Sequence, residues 1–400
     1  MKRVKVAARD NADERAMSTG VLSVEKTLQN GLSYRTWDES SAYLMSRDDV
    51  DEIVSAISSV VSMAREAADF LLDGEWGTFG MSNEIFELVR NSFDSRETEF
   101  FTRYDFAYTA DGSLKLVGIE PDSPRYLVET AHTQRTWLFD MFGNKVKNHK
   151  VTQLNSIPEM ILEAFKEFKN NDKNLHVFTS SLERGEDSIS SSYIKGLART
   201  CGLNVSGHRM KDLIWDKFSN VWVDEKGDEV TSFYKHYPWE LIMSSPSSKN
   251  FIEHYEDFKQ TLDPLWKIIM SNRAVLPAMY HLFPDSKILS PAKLDDVTGI
   301  GEDYVMSPVL LSSSRNEMGV LKGRAFTSWG ENMKDLSNQP TIAYRKLDMP
   351  KRYRDASGGY RFTFLSVFTV GGSLAGIGVR ESRLPLLGAH STFKPHVVML

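Results

Sequence analysis

Apolar side chains recur at helical spacing over several stretches of the chain. The longest stretch runs from Val50 to Leu72, where apolar residues return every three or four positions, as they do on the buried side of an amphipathic helix. Ser82 and Ser156 are residue types that cap helices, and the Ile-Pro-Glu after Ser156 places proline and glutamate in a first turn. The pattern predicts helices at 50–72, 82–91, 126–141, 156–168, 191–200 and 251–270.

Alternating or continuous apolar runs predict strands, which are denser in the last third of the chain. The run His176 to Ser180 precedes one of the helices and indicates an α/β unit, and small antiparallel strands are predicted between Trp215 and Val230. Further strands are predicted at 341–346, 361–370 and 376–379, with Gly371-Gly372 as the turn between the last two. These elements predict an α+β fold with mixed and antiparallel sheets and flanking helices, rather than one doubly wound sheet.

One pair of these strands forms a predicted hairpin. Residues Tyr104 to Tyr108 and Leu114 to Ile119 alternate between apolar and polar or small side chains, and Asp111-Gly112 between them is a strong hairpin-turn signal. A two-residue turn at this point fixes which residues of the two strands lie opposite each other.

That register gathers charged side chains on one face of the hairpin. It places Asp105 opposite Gly118 and Arg103 opposite Glu120, so Arg103, Asp105 and Glu120 project from the same side. Two carboxylates on diagonal neighbours, roughly 7–8 Å apart, beside an arginine, have the chemistry to hold Mg²⁺ together with phosphate oxygens. The alternative is a surface hairpin with a cross-strand ion pair, which the segment alone favours because charged hairpins are common.

The length and composition of the chain limit the classes of function. At 400 residues the chain exceeds the usual size of a single core, and we expect approximate lobes at 1–150, 151–285 and 286–400, the first containing the hairpin 103–124. The formal charge of −6 at pH 7 argues against a general nucleic-acid binder. The single cysteine, Cys201, excludes an internal disulfide framework and an all-thiolate zinc site.

Targeting signals and catalytic motifs further limit the cellular location and the classes of function. The segment MKRVKVAARDNADERA lacks the apolar run of a signal peptide, and no stretch has the apolar length of a transmembrane helix, so a cytoplasmic location without a membrane span is expected. The chain has no Walker A, HExxH, CxxC or GxSxG pattern. The nine histidines show no ligand spacing, and none indicates a catalytic role by itself.

Two cations lie at the ends of apolar, strand-like segments. Lys235 stands in Phe-Tyr-Lys-His-Tyr, and Arg380 stands in Gly-Ile-Gly-Val-Arg. A buried cation is costly unless it meets an anion. The anion is either a phosphate or carboxylate ligand or an internal salt-bridge partner such as Glu240 or Glu381, and the sequence leaves both interpretations open.

Several of these segments together resemble the synthetase part of the glutathionylspermidine synthase family, whose fold is a variant ATP-grasp. The resemblance covers nearly the whole chain without the amidase domain found in some members. It is carried by YRTWDESSAY (34–43), Arg103 to Phe106, Asp122 to Glu129, QLNSI (153–157), Gly185 to Leu203, Phe233 to Glu240, Pro264 to Pro284, Val370 to Glu381 and Lys394-Pro-His396.

The resemblance implies an ATP-dependent carboxylate–amine (C–N) ligase that works through an acyl phosphate, with ATP and Mg²⁺. Small-molecule or peptide carboxylates and amines are the implied partners, and nucleic acid is not. Carboxylates would hold Mg²⁺, and cations would offset charge on the transferring group. The implied roles are catalysis for Arg103 and Arg380, metal binding for Asp105 and Glu120, nucleotide binding for Lys235, Ser307 and Arg315, and substrate binding for Ser123, Glu186 and Asp187.

The sequence departs from the family pattern where the nucleotide would bind. Gly118 replaces a usual glutamate and Glu120 a usual asparagine, so Glu120 could supply the lost carboxylate from the same face. Ser307 replaces the phosphate lysine, and the serines of 312–314 replace loop glycines that let backbone amides approach phosphate. Arg315 is the cation that could compensate. Tyr344 and Arg345 replace the paired glutamines beside adenine.

Two functions therefore remain open from the sequence. The first is an active, divergent ligase with a rearranged nucleotide site, which the retained Arg103, Asp105, Lys235 and Arg380 favour. The second is a catalytically inactive ATP-grasp-like protein that serves as a ligand- or protein-binding module or a structural component, which Ser307 and the serine-rich loop favour.

Overall fold

The computed structural model describes residues 1–27, 33–95, 97, 99–148, 150–182, 185–309, 317–327, 341–355, 358–388 and 390–400. The α-helices of these residues are α1 (Ala12–Ser18), α2 (Arg47–Leu72), α3 (Asn83–Asp94), α4 (Gln134–Lys147), α5 (Ile157–Asn171), α6 (Glu186–Thr200), α7 (Trp239–Met243), α8 (Ser248–His254), α9 (Lys267–Ser271) and α10 (Val275–Leu282). A π-helical segment, Glu129–Thr133, leads directly into α4.

Strands are short except around one antiparallel sheet. In chain order they are β1 (Lys2–Lys5), β2 (Glu25–Thr27), β3 (Ser33–Arg35), β4 (Ser41–Met45), β5 (Phe101–Tyr108), β6 (Leu114–Glu120), β7 (Val151–Thr152), β8 (Asn174–Thr179), β9 (Asn204–Arg209), β10 (Ile214–Asp216), β11 (Val221–Val223), β12 (Ser232–His236), β13 (Gln260–Leu262), β14 (Ala292–Leu294), β15 (Tyr304–Pro308), β16 (Met318–Leu321), β17 (Arg324–Thr327), β18 (Ile342–Lys346), β19 (Arg352–Arg354), β20 (Tyr360–Val370), β21 (Ser373–Ser382), β22 (Thr392–Lys394) and β23 (His396–Met399).

Among the described residues these strands form six sheets. The largest is antiparallel, in the order β22-β21-β20-β5-β6, with β19 paired to the start of β20. A parallel sheet, β13-β12-β8-β9, lies in the middle of the chain, and a five-stranded antiparallel sheet, β14-β18-β15-β16-β17, follows it. The predicted α+β fold with mixed sheets is therefore confirmed. The largest sheet combines strands from the first and the last of the predicted lobes, and the lobe boundaries stay predictions.

The predicted hairpin is present with the predicted pairs, but its turn is longer than expected. Asp105 pairs with Gly118 and Arg103 with Glu120, whereas Tyr108 already pairs with Leu114. The longer turn shifts the register by one residue, and a bulge after Asp105 shifts it back. Bulges of this kind re-aim side chains next to functional sites.

The hairpin lies inside the protein, so its interpretation as a surface hairpin is wrong. Strand β5 is central in its sheet because β20 pairs along its other edge, with Ser366 opposite Asp105. Both Arg103 and Asp105 are about 5% exposed. The charges therefore face a buried environment, in which they must be paired or bind a ligand.

Most predicted helices are present. Helix α2 begins at a capping box, in which the Ser46 hydroxyl accepts from the Asp49 amide at 3.2 Å and the Asp49 carboxylate accepts from the Ser46 amide at 2.8 Å. Its apolar side packs against α9, α10 and the strands β4 and β21. The same periodic signal predicts both ends of α3 and α5 to within three residues, whereas α6 ends as predicted and begins five residues earlier than predicted.

The single helix predicted over 251–270 is wrong. The segment divides into α8, strand β13 and α9, and β13 extends the parallel sheet beside β12. Asp263 has a positive φ of 74° and precedes Pro264, and the residue before proline is driven away from helical geometry. None of the helices in the described part of the chain combines the length and apolar composition needed to cross a membrane.

Candidate functional site

A buried arginine–aspartate pair lies at the centre of the largest sheet. Arg103 donates from Nε to Asp105 Oδ1 at 2.9 Å and from Nη2 to Oδ2 at 2.8 Å, and the Ser366 hydroxyl donates to Oδ1 at 2.6 Å. Burial alone would raise the pKa of Asp105, but Arg103 and Arg380 and the hydrogen bonds outweigh it and hold this pKa below its usual value. The carboxylate is therefore ionised at neutral pH.

Arg380 projects from β21 onto the same cluster. Its Nη1 lies 3.9 Å from Asp105 Oδ1, while Nε donates to the Ser391 hydroxyl at 2.8 Å and Nη2 donates to the Gly388 carbonyl at 3.0 Å. The guanidinium also lies over the ring of Tyr126, 4.0 Å from its centroid. Two guanidinium groups thus share Asp105, an arrangement that favours an anionic ligand beside them.

Arg273 lies beside Glu120 and Gly118, the two hairpin positions at which the sequence departs from the metal-binding pattern of the family. Arg273 bridges two carboxylates, with Nη2 3.8 Å from Glu120 and Nη1 3.5 Å from Glu317. A Cβ added to Gly118 would lie 3.8 Å from Arg273 Nη1, so the arginine occupies space next to the position of the usual glutamate. Burial raises the pKa of Glu120, an effect that Arg103 and Arg273 partly offset. Sequence reasoning missed Arg273, because 153 positions separate it from Glu120 (273 − 120).

Lys235 has an internal partner, and it is neither of those considered from the sequence. Its ammonium donates to Asp122, whose other oxygen accepts from the Trp239 amide at 2.5 Å. Lys235 is fully buried and lies 4.5 Å from the centre of the Trp239 ring. Burial lowers the pKa of Lys235, although Asp122 opposes that shift. Its role in nucleotide binding stays a prediction and requires this ion pair to open.

The predicted acidic pair lies at the start of α6, but its two side chains have different partners. Glu186 accepts from Lys26 Nζ at 2.9 Å and lies 3.7 Å from Arg125. Asp187 accepts from the Ser180 hydroxyl at 2.8 Å. Asp187 also lies 4.0 Å from the Nε2 atom of His236, so the two carboxylates face different basic groups.

Ser123, the other predicted substrate residue, lies in the turn after β6. It has a positive φ of 57°, and its hydroxyl donates to Asp122 at 3.4 Å. The structure therefore connects Ser123 to the Asp122–Lys235 pair through a hydrogen bond.

Glu129 belongs to the site, although no sequence pattern indicated its role. It begins the π-helical segment, a rare conformation that often marks functional sites. Burial, reinforced by the nearby charge of Glu186, raises the pKa of Glu129 to about 7, while Lys26 and Arg380 act in the opposite direction. A carboxyl group that titrates near neutral pH can accept a proton during a reaction.

This pKa predicts a pH-dependent contribution to stability. The folded state binds the Glu129 proton more tightly than the unfolded chain, so the contribution is complete below the unfolded pKa of about 4.3 and is lost as pH rises through about 7. Relative to Glu129→Gln, we expect the wild-type free energy of unfolding to fall by roughly 1–3 kcal/mol between pH 5 and pH 8. Urea unfolding at both pH values measures this, with Glu87→Gln on the exposed side of α3 as control. Parallel pH profiles for wild type and Glu129→Gln would contradict it.

A basic cavity lies on the other face of β21, where Glu381 contributes to its lining, whereas the preceding residue, Arg380, projects from the opposite face of the strand. The cavity has a volume of about 610 Å³, and its lining contains seven lysines and arginines against four carboxylates. Three of the carboxylates already pair within the lining, in Arg3–Glu381, Lys394–Asp38 and Arg361–Asp355. Tyr34 lines the cavity and pairs across β2 and β3 with Lys26, the partner of Glu186. The surplus of positive charge suits a ligand with several carboxylates.

The predicted nucleotide elements are only partly described. Ser307 is buried in β15 opposite Ala343, and the neighbouring pairs are Met306–Tyr344 and Val305–Arg345. Residues 312–314 and Arg315 lie outside the described residues. The nucleotide roles of Ser307 and Arg315 therefore stay predictions.

The predicted metal ligands fit a magnesium ion. Mg²⁺ takes one or two protein carboxylates beside phosphate oxygens and water. Asp105 accepts three hydrogen bonds, and a carboxylate offers about four acceptor positions, so Oδ2 retains one. Glu120 lies 3.8 Å from Arg273 Nη2, which is beyond hydrogen-bond length. Asp105 and Glu120 share one face of the sheet and would hold the ion from there.

Comparison with known proteins identifies the fold and the family. An apo structure of a glutathione synthetase-like effector from Globodera pallida superposes with a TM-score of 0.56 at 13% identity, covering 96% of this chain and 95% of that one. The fold is thus of the glutathione synthetase-like, ATP-grasp type. A family model described as "Glutathionylspermidine synthase preATP-grasp" matches residues 3–399. The chain belongs to this family, and the predicted resemblance is confirmed.

Two curated relatives indicate the chemistry of the family. A Haemophilus influenzae protein described as a "putative acid–amine ligase" is 24% identical over 369 residues, which cover 90% of each chain. Trypanothione synthetase of Crithidia fasciculata is 23% identical over 348 residues, covering 79% of this chain and 50% of that enzyme. The chain therefore spans half the length of the second relative. These relatives make the family one of carboxylate–amine ligases.

Proposed function

We propose that the protein is a divergent ATP-dependent ligase that joins a carboxylate to an amine through an acyl phosphate. The observation that carries the proposal is the buried cluster of Arg103, Asp105 and Arg380 on one sheet face, within a chain of the ligase family. Two arginines face one aspartate at about 5% exposure or less, and the excess buried positive charge is costly unless an anion joins it.

The cations of the cluster fit phosphoryl transfer. The substrate carboxylate attacks the γ-phosphorus of ATP, ADP leaves, and charge spreads over the transferring oxygens. Arg380 would stabilise that charge, since Ser391 and Gly388 already fix the orientation of its guanidinium. Arg103 would hold Asp105 in place, and Mg²⁺ bound by Asp105 and Glu120 would neutralise phosphate charge.

The second half of the reaction requires a proton acceptor. The amine attacks the carbonyl carbon of the acyl phosphate, inorganic phosphate leaves, and the nitrogen loses a proton. Glu129 would accept this proton, because its pKa of about 7 allows it to be ionised before the step and protonated after it. The basic cavity lined by Tyr34, Arg3 and Lys394 would bind a peptide-like acid with more than one carboxylate.

Calorimetric binding of a non-hydrolysable ATP analogue with Mg²⁺ tests the first requirement of this function. We expect the wild type to bind, and Asp105→Asn and Glu120→Gln each to weaken binding at least tenfold by reducing the charge that faces the ion. Asp285→Asn, at an exposed position after α10, should bind like wild type. Release of ADP would then be screened with pairs of small carboxylic acids and amines.

A non-catalytic binding function is the second candidate. Ser307 replaces the phosphate lysine, and Lys235 is already neutralised by Asp122. If the wild type does not bind the nucleotide and binds small polycarboxylates alone, this second function replaces the ligase. Nucleotide binding that depends on Asp105, together with ADP release that requires both an acid and an amine, would contradict it.

A further inference from the structure

A buried group of metal-binding side chains lies on the parallel sheet, apart from the cluster around Asp105. His176 on β8 and His208 on β9 project from the same face, because His176 pairs with Ser206 and Phe178 pairs with His208. Asp224 follows β11, and its carboxylate lies next to both histidine rings. The exposed fractions of these three side chains are between 1% and 9%.

The potential ligand atoms converge at coordination distances. His176 Nδ1 lies 3.3 Å from His208 Nε2, and Asp224 Oδ2 lies 3.6 Å from His208 Nε2 and 4.0 Å from His176 Nδ1. In a tetrahedral zinc site with bonds of about 2.0–2.1 Å, ligand atoms lie roughly 3.3–3.4 Å apart. Closing the longest of these gaps, from 4.0 Å to about 3.4 Å, would require a movement of roughly 0.6 Å to enclose an ion.

The groups around the three side chains hold them in the orientation that metal binding needs. Glu225 lies 2.8 Å from His208 Nδ1, which directs Nε2 of that ring towards the other two residues, as carboxylates do behind metal-binding histidines. Asp224 Oδ1 accepts from the amides of Lys226 and Asp228 at 2.9 and 3.0 Å, which leaves Oδ2 facing the rings. The Ser206 hydroxyl lies 2.7 Å from His208 Nε2 and 3.1 Å from His176 Nδ1.

We propose that His176, His208 and Asp224 bind one divalent transition-metal ion, with Zn²⁺ as the ion that best suits two imidazoles and one carboxylate. The ion would connect two sheet strands to the turn after the β10–β11 hairpin. Three protein ligands leave the fourth tetrahedral position for a water molecule or for the Ser206 hydroxyl, which already lies beside both ring nitrogens. The bound ion would fix the β10–β11 hairpin against the edge strand β9.

The sequence does not reveal this group, because no two ligands are close in the chain. His176 and His208 are 32 positions apart and Asp224 follows 16 positions later (224 − 208). Only the parallel pairing of β8 with β9 brings the two rings together. Among the described residues, this is the single group of three or more potential ligands that converges.

The test is titration of chelator-treated full-length protein with Zn²⁺ by calorimetry, and with Co²⁺ by visible absorption. We expect one equivalent to bind, with the absorption bands of tetrahedral Co²⁺ and a rise in melting temperature on adding Zn²⁺. His208→Gln and Asp224→Asn should each lower Zn²⁺ affinity at least tenfold and abolish the rise. The asparagine side chain of the second variant would keep a carbonyl oxygen for the two amide donors, so this variant should fold.

His281→Gln is the matched control, because His281 is an exposed histidine on α10. It should bind Zn²⁺ like the wild type. Failure of the wild type to bind one equivalent would overturn the proposal. So would equal binding by wild type, His208→Gln and Asp224→Asn, since the ion would then lie elsewhere. Neither result depends on whether the protein is a ligase.

Discussion

Lys235→Met is expected to lower the free energy of unfolding by about 3–5 kcal/mol, the usual cost of removing one partner from a buried ion pair. The side chain of Asp122 is 4% exposed. Without the ammonium, its charge would be left with the Trp239 amide and the more distant Ser123 hydroxyl as hydrogen-bond donors. Methionine fills a similar volume, so the loss reflects charge rather than a cavity. Urea unfolding monitored by circular dichroism measures the difference.

A double variant shows whether the loss of stability comes from the unpaired charge of Asp122 or from altered packing. Lys235→Met combined with Asp122→Asn removes both charges, and should recover most of the lost stability, because replacing both partners of a buried pair is often close to neutral. Lys249→Met, at a side chain that is 82% exposed, is the control and should change stability by less than about 0.5 kcal/mol. A double variant as unstable as Lys235→Met would contradict this account.

The sequence predicted the parts of the site that depend on local pattern. The turn signal at Asp111-Gly112 and strand alternation correctly placed Arg103 opposite Glu120 and Asp105 opposite Gly118. The predicted turn was too short, but a bulge after Asp105, which no residue pattern reveals, restored the predicted pairs. Helices such as α2 were also predictable from local pattern, because the residues on the buried side of a helix are apolar and recur at helical spacing.

The partners of the buried charges were not predictable, because they depend on contacts between distant segments. Lys235 pairs with Asp122, 113 positions away, although Glu240 lies closer in the chain. Arg273 reaches Glu120 from just beyond α9, and Glu129 acquires its raised pKa through burial and the charge of Glu186, which arrives from α6. Family resemblance indicated the cluster around Asp105, but tertiary packing decides which of its charges face one another.

Arg380→Lys is expected to lower kcat/KM by about 10²–10³, the cost of removing one donor that stabilises transition-state charge. Lysine keeps the positive charge, but it lacks the planar fork by which Arg380 binds both Ser391 and Gly388. The loss should fall mainly on kcat, while the ATP analogue still binds, because the interaction is strongest with the transferring group. The measurement is ADP release with the acid and amine found by screening.

Arg199→Lys provides the matched control, since it makes the same exchange outside the site. Arg199 is exposed near the end of α6 and, like Arg380, donates to a backbone carbonyl, that of Val205 at 3.2 Å, so its replacement should alter kcat by less than about a factor of three. Unfolding experiments on Arg380→Lys test whether a folding defect, rather than the lost interaction, lowers the activity. If this variant remains folded and keeps wild-type kcat, Arg380 does not act on the transferring group, and its place beside Asp105 serves only the stability of the sheet.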